Sequence, residues 1–548
     1  MFQRIIKSVR CEFSSLGISF YLLWWFFHPL SVVVVVGFFL IPFFIEYLKE
    51  VIAFGCLTVL LMGLYAFTPR AMKFLVYISS FLLLSSLSFV KLSFFHLYGV
   101  KISASALFVI FETNASETSE FLENYLNVPI IILFLLLFMP LIWLLVFKRK
   151  KAKQFIFENT RKKPPIKIVL LLALIIVSGF IIQWKFKNEN ILLNSFSSYQ
   201  EYSKTKEILA SQLAKTENNL VSDATNSDDE AAYVVIIGES TSSWHMQLYG
   251  YKRETNPKLV EIKNELVLFN NVITPNVHTI LALEKILTFT NFENPKPNQN
   301  ASVVQLANAA GFETYWISNQ QPVGIHESIS TIIGNAAKNK YFIATEGYKY
   351  TIHDGALLPI VEQVLQEKKK KKLIFLHLIG THVAYYKRYP KEFEFFGTLS
   401  RPDLDKKANE YINTYDNATR YNDSIIRAVI DKVKLLDTNS YVAYFSDHGD
   451  DVYDEANIAG HNEYLGTKPM YEVPFMVWFS EKYYKNSESY SKKEALKQRA
   501  YNLEDFMYSF AEISRIKFAQ MDSTRSVFSN QFIERPRLVK DGENYDKK

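Results

Sequence analysis

Three apolar runs in the C-terminal part of the chain each end in residues able to bind a metal ion. Val234–Ile237 is followed by Gly238-Glu239-Ser240, Leu373–Leu378 by Ile379-Gly380-Thr381-His382, and Tyr441–Phe445 by Ser446-Asp447-His448-Gly449-Asp450. If the runs are parallel strands of one sheet, Glu239, His382, Asp447 and His448 share the rim at the strands' carboxyl ends, where open α/β sheets collect ligands. Carboxylate and imidazole donors in that mixture suit zinc, with manganese second to it. Each piece alone has an ordinary explanation: Glu239 as part of a helix N-cap, Asp447-His448-Gly449 as a turn, His382 as a surface histidine. Three strand ends with the same chemistry point to a metal site. His377 differs, because it lies inside a strand and reads as a core residue.

A metal site of this kind serves a nucleophile. In Thr274-Pro275-Asn276-Val277-His278-Thr279-Ile280, a loop leads into the helical pattern TILALEKIL, which puts Thr279 near a helix N-terminus. Free N–H groups and the positive end of the helix dipole favour an alkoxide or phosphate there. A zinc ion on the hydroxyl would lower its pKa, as it does for bound water. Taken alone, Thr279 reads as the N-cap of its helix.

Short β-rich runs at Tyr233–Ile237, Thr314–Ile317, Leu373–Leu378, Tyr441–Phe445 and Phe475–Phe479, separated by helical patterns, predict an α/β domain with a mostly parallel central sheet. That domain is expected over 231–548, with a helical, charged last stretch that ends in a frayed tail. The run Lys368–Lys372 reads as a solvated helix end. Residues 185–230 read as a connector, with a surface-lying helix within Ile191–Leu213 and a polar segment without a core over Thr216–Glu230.

Residues 1–184 are of another kind. A bilayer core takes about 20 apolar residues in a helix, and five stretches qualify or come close: one within Leu16–Ile45, broken by His28 and Pro29, then Val51–Phe67, Ala71–Leu97, Val128–Phe147 and Ile166–Trp184. No cleaved signal peptide is expected. Arg4, Lys7 and Arg10 precede the first span, Arg70 and Lys73 follow the second, and Lys148, Arg149, Lys150, Lys151, Lys153, Arg161, Lys162 and Lys163 follow the fourth. Alternating spans put all three groups on one side, which the positive-inside rule makes cytoplasmic. The C-terminal domain is then expected in the periplasm of a Gram-negative cell.

Composition agrees with a two-part chain. Its 548 residues are 49% apolar and 21% charged, which excludes a disordered chain, a collagen-like repeat or a small disulfide scaffold. The net charge of +6 owes much to the loop after the fourth span, so no nucleic-acid partner is expected. The only cysteines, Cys11 and Cys56, lie before the first span and within the second. The exported part has none, which is compatible with an oxidising compartment without requiring one.

In the motifs VVIIGEST, FLHLIGTHVAYYKRYP, YFSDHGDD and AGHNEY, and in the helix start at Thr279, the chain resembles the phosphoethanolamine transferases, inner-membrane enzymes of the alkaline phosphatase/sulfatase superfamily. The resemblance covers nearly the whole length, and FLHLIGTHVAYYKRYP is its most specific motif. It implies zinc held by Glu239, Thr279, Asp447 and His448, with Thr279 as covalent nucleophile. His382 and His461 match histidines that bind a second zinc or the transferred phosphate. Glu112, in the exported loop Val100–Asn127, matches a membrane-domain glutamate that faces the active site and could pair with an ethanolammonium group. The implied reaction takes phosphoethanolamine from phosphatidylethanolamine to a lipopolysaccharide acceptor, lipid A or a core sugar, and a monomer among membrane lipids is expected.

Departures from the family's pattern bear on the acceptor. Relatives acting on lipid A commonly carry several disulfides in this domain, and their nucleophile lies in a Cys-containing segment. Here it follows Asn276-Val277-His278, and the stretch after Trp316 reads Ile-Ser-Asn-Gln-Gln in place of a charged pattern. These features lie closer to a branch that modifies the lipopolysaccharide core. Rival readings are a phosphoglycerol transferase using phosphatidylglycerol and a non-catalytic membrane-anchored sensor. A true sulfatase is disfavoured, since the class converts a Cys or Ser to formylglycine and no cysteine lies outside the membrane region.

Overall fold

An apolar segment away from water has only its own backbone to satisfy its hydrogen bonds, and helices do so. All five apolar stretches fold as helices: α1 (Phe20–Leu40), α2 (Phe44–Phe67), α3 (Lys73–Tyr98), α4 (Val128–Phe147) and α5 (Pro165–Trp184). The computed structural model describes residues 20–40, 44–98, 125–147, 165–184, 209–295, 299–320, 329–344, 352–398, 401–485 and 493–547, with isolated positions between 118 and 207. It comprises two compact units, one holding these helices and one holding the chain from Tyr202 onward.

Among the described residues, three helical segments are long and apolar enough to cross a membrane: Tyr47–Phe67, Lys73–Tyr98 and Val128–Val146. Phe26–Phe39 and Ile168–Trp184 are shorter apolar helices. Pro29 does not break α1, which continues past it to Leu40. Inside the helical unit Phe26 meets Tyr65 and Tyr77 edge-on at 5.6 and 5.5 Å, in one core with the buried Leu84, Leu92 and Leu137. Helix α2 begins well before Val51 and takes in Glu50. That carboxylate is buried and accepts a 3.0 Å charged hydrogen bond from Lys91 of α3.

The second unit is built on one seven-stranded sheet. Its strands are β1 (Ala231–Gly238), β2 (Leu266–Phe269), β3 (Glu313–Ser318), β4 (Asn339–Phe342), β5 (Lys371–His377), β6 (Asn439–Ser446) and, after a small hairpin of β7 (Asp451–Val452) and β8 (Ala459–Gly460), β9 (Phe475–Phe479). Their order is β2-β9-β6-β1-β5-β3-β4. The sheet is mixed. The β6–β1, β1–β5, β5–β3 and β3–β4 pairs are parallel, whereas β9 runs antiparallel to both its neighbours. The reversal follows from its connection, because the chain between β6 and β9 carries functional loops instead of the long crossover helix a parallel return needs. The edge strands β2 and β4 are four residues each, too short to show as periodic runs.

Side chains alternate along β1, with Tyr233, Val235 and Ile237 in one core and Val234 and Ile236 in the other, all fully buried. Burial on both faces is what an unbroken apolar run requires. Helix α6 (Thr279–Ile286), Val303–Ala309 and Phe506–Ile513 cover one face; Leu358–Gln366 and the long helix α7 (Lys406–Lys434) cover the other. Asp405 caps α7 by accepting from Ala408 N–H at 2.7 Å.

Three sequence expectations are corrected. The packed core does not begin at Ala231: Leu209, Leu213, Val221 and Ala224 are buried in it, and Thr225–Asn226 pairs with Ile516–Lys517. These apolar positions are too sparse to form a readable period. In the run Lys368–Lys372, Lys368, Lys369 and Lys370 are exposed as expected, but Lys372 is buried and its ammonium donates to the carbonyls that end Leu358–Gln366, including Glu367 O at 2.9 Å. A cation suits that negative helix end. The tail is not frayed either. Strands β10 (Leu538–Val539) and β11 (Glu543–Asn544) form a hairpin whose Val539 is buried with Ile273, Val277 and Tyr471, while Arg537 pairs with Asp546.

Phe375 on β5 is fully buried, 5.9 Å from the rings of both Trp316 and Phe510. Phe375→Ala is expected to cost about 3–5 kcal/mol through the lost contacts and the cavity left behind. Chemical denaturation of the detergent-solubilised protein measures it, and a loss below about 1 kcal/mol would contradict this packing.

Candidate active site

Register decides what meets what. Ile237 pairs with His377 and Gly238 with Ser446, so β1, β5 and β6 end level with one another. The next residues stay together: Asp447 N–H donates to Gly238 O at 3.1 Å, and Thr381 N–H donates to Glu239 O at 3.0 Å. Gly380 is required at this closure. It has φ +53°, and a β-carbon there would lie 2.7 Å from Glu239 O. Ser240 also sits in left-handed backbone, at φ 58°, and is locked by Tyr415, whose hydroxyl donates to Ser240 O at 2.7 Å.

Glu239, Asp447 and His448 are buried and offer ligand atoms close enough to share one metal ion. His448 Nε2 lies 3.2 Å from Glu239 Oε1 and 3.6 Å from Asp447 Oδ2. Its other nitrogen donates to Gly449 O at 3.1 Å, which turns Nε2 toward the carboxylates. Thr279 is the first residue of α6, and its hydroxyl donates to Glu239 Oε2 at 3.1 Å and lies 3.3 Å from His448 Nε2. The four residues that the family resemblance names as zinc ligands thus converge.

Charge and desolvation show that this set fits a cation. Asp447 Oδ2 is buried without a hydrogen-bond partner. Burial first, and the Glu239 charge second, push the Asp447 carboxyl far above its usual range. Burial alone would lower the His448 pKa, yet Asp447, Glu239 and Asp450 push it up to about 10. The pocket strongly favours positive charge where Nε2 points. Oxygen and imidazole donors of this mixture suit zinc.

A second group with metal-ligand spacing lies alongside and consists of His448, Asp450 and His461. His461 Nδ1 donates to Asp450 Oδ1 at 2.7 Å, and Tyr385 donates to Asp450 Oδ2 at 2.7 Å. His382 is half-buried and lies within electrostatic reach of Glu239 and of Asp450, whose carboxyl burial pushes up to about 7. His377 is buried in the sheet, where desolvation lowers its pKa to about 4, so it is a neutral core residue. Glu112 lies outside the described residues.

Several positioning residues were not assigned from the sequence. Gln320 donates to Glu239 Oε2 and to Leu378 O, both at 3.1 Å. Glu463 accepts from Asn276 Nδ2 at 3.0 Å and from Val277 N–H at 2.9 Å, holding the loop ahead of Thr279. Asp450 stands in plain view in SDHGDD, but nothing in that string distinguishes it from Asp451. Farther out, His245 is buried between Asp416 at 2.6 Å and Asp454 at 3.1 Å, tying α7 to the loop between β7 and β8.

Residues 231–515 match the Sulfatase family. Over the longer chain, phosphoethanolamine transferase EptC of Escherichia coli O18:K1:H7 (strain RS218 / NMEC) is 30% identical across 517 residues, covering 86% of this chain and 85% of that protein. The crystal structure of the C-terminal periplasmic domain of EcEptC from Escherichia coli, in complex with Zn, is 33% identical with a TM-score of 0.55, covering 59% of this chain and 93% of that one. The integral membrane protein lipooligosaccharide phosphoethanolamine transferase A (EptA) from Neisseria meningitidis shares the fold, with a TM-score of 0.59 and 19% identity over 83% of this chain and 90% of that one. The catalytic unit is thus a sulfatase-type domain of the alkaline phosphatase superfamily. Within that class, the chain belongs to the phosphoethanolamine transferase family.

Gln320→Ala leaves Glu239 without one of its orienting donors and is expected to weaken zinc binding about 10–100-fold. Competition with a chromophoric chelator measures this, and unchanged affinity would remove Gln320 from the metal site. For His245, burial alone would lower the pKa, but Asp416 and Asp454 raise it from 6.5 to about 10. Its folded value lies above its unfolded one, so its contribution to stability is full below about pH 6.5 and fades as pH rises toward 10. A His245→Gln variant should be less stable than the parent near neutral pH, and the two melting curves should converge in alkaline buffer.

Proposed function

We propose that the protein transfers phosphoethanolamine from phosphatidylethanolamine to a lipopolysaccharide acceptor through a covalent phosphoethanolamine-threonine intermediate on Thr279. The carrying observation is the Thr279 hydroxyl at the start of α6, 3.1 Å from Glu239 and 3.3 Å from His448 Nε2. Family membership favours phosphoethanolamine over phosphoglycerol as the group moved, and a converged ligand set argues against a degenerate sensor.

Glu239, Thr279, Asp447 and His448 would hold zinc, and bound zinc would lower the threonine hydroxyl pKa and draw charge from the phosphoryl oxygens. The chain's own residues do the rest. Thr279 Oγ1 attacks the phosphorus, its hydroxyl proton is lost, and the bond from phosphorus to the diacylglycerol oxygen breaks as that oxygen gains a proton. The backbone N–H groups opening α6 receive the phosphoryl charge. An acceptor hydroxyl or phosphate oxygen then attacks the same phosphorus, and Thr279 Oγ1 leaves and recovers its proton. His461, oriented by Asp450, and His382 neutralise charge or carry the proton in both halves. They are also the residues we propose for a second zinc or the transferred phosphate.

Five spans would keep this rim at the outer leaflet of a Gram-negative inner membrane, with the catalytic domain in the periplasm on a chain acting as a monomer. Glu112 would meet the ethanolammonium group. Peptide mass spectrometry after incubation with phosphatidylethanolamine or phosphatidylglycerol tests the reading. A phosphoethanolamine adduct on the Thr279 peptide, absent from Thr279→Ala, is expected; an active Thr279→Ala enzyme would sink the mechanism, and a phosphoglycerol adduct would change the donor.

A further inference from the structure

The turn after β8 serves both sides of the site and carries one surface-exposed aromatic residue. His461 bonds inward to Asp450, and Glu463 bonds to the loop ahead of Thr279. Asn462 fixes the turn, its Oδ1 accepting from the Tyr464 and Leu465 N–H groups at 3.0 and 3.2 Å. Tyr464 is 42% exposed, three residues beyond His461. Over its ring, 4.6 Å from the centroid, lies the ammonium of Lys540.

Lys540 comes from the far end of the chain and is held here on purpose-built contacts. Its N–H donates to Pro275 O at 3.0 Å, in the nucleophile loop, and Val539 beside it is buried with Ile273 and Val277. Its ammonium also lies 3.5 Å from Glu543, a side chain about half exposed. The C-terminal hairpin therefore sets a cation, itself paired with Glu543, against an exposed aromatic ring at a turn anchored to the nucleophile loop.

We propose that Tyr464 and Lys540 form the acceptor subsite and recognise a phosphorylated sugar. The ring offers an apolar face to the C–H groups of a pyranose, and the ammonium offers a partner to an anionic substituent on it. A sugar held there would present its attacking oxygen beside the turn that carries His461. The assignment rests on the two-step transfer proposed above.

The two half-reactions separate on full-length enzyme in detergent. Loading is the phosphoethanolamine adduct on the Thr279 peptide after exposure to phosphatidylethanolamine; discharge is loss of that adduct to purified, phosphorylated rough lipopolysaccharide. Tyr464→Ala and Lys540→Ala should load at the parent's rate, which also shows that they fold. Each should discharge about tenfold more slowly at subsaturating lipopolysaccharide. Tyr464→Phe and Lys540→Arg should retain discharge, and added salt should slow the parent more than Lys540→Ala. Unchanged discharge in the Tyr464→Ala/Lys540→Ala double variant overturns the proposal. Slowed loading overturns it too, because it puts the pair on the donor side. A parent enzyme that never forms the adduct overturns the two-step reading itself, and this assignment with it.

Discussion

Two carboxylates and an imidazole sealed from water within about one side chain's reach of each other are the constraint on which the rest of the catalytic unit turns. Glu239, Asp447 and His448 are each almost wholly buried. Like charges at that spacing are tolerated only with a cation or proton among them. Nothing in an isolated loop could hold such a set together. The level ends of β1, β5 and β6 do so, because hydrogen bonds continue from one strand end to the next through Asp447 N–H and Thr381 N–H. The large apolar cores on both sheet faces therefore act at a distance, opposing charge repulsion at the rim.

Around this centre, the loops are tied by buried polar side chains that bridge distant parts of the sequence. Tyr415 of α7 receives an N–H from Ser242 and gives its proton to Ser240 O. Glu463 grips the approach to Thr279, and His245 joins α7 to the small hairpin from which Asp450 and His461 project. Each fixes an orientation and leaves the reacting groups themselves unoccupied by structural work. Buried networks of this kind are stable only when their members are satisfied, which gives the site its rigidity.

What could be read from residue order was the chemistry at strand ends. GES, GTH and SDHGD follow apolar runs directly, so the rim and the side chains that gather on it are legible once the runs form strands. Thr279 was legible through the helix it opens. Direction was less so, since β9 looks like any other buried strand and its reversal depends on what lies between it and β6. Contacts across long separations were not legible at all. Gln320 reaching Glu239 and the hairpin at 538–544 meeting residues near 275 depend on three-dimensional packing that has no local period. Glu50 carried the opposite lesson: its charge appeared to mark the edge of an apolar helix, when a partner on the next helix lets it lie inside.

That ion pair has a consequence for how the chain enters a bilayer. An unpaired charge in a membrane helix costs up to about 3 kcal/mol to insert at the helix centre and less toward its ends. Glu50 lies near the start of α2 and Lys91 in the last third of α3, so the two meet toward one end of the pair and each finds its partner in the other. Helices α2 and α3 therefore gain by leaving the translocation channel as one hairpin. The short turn at Thr68–Met72 holds the two partners close along the chain, which favours that pairing.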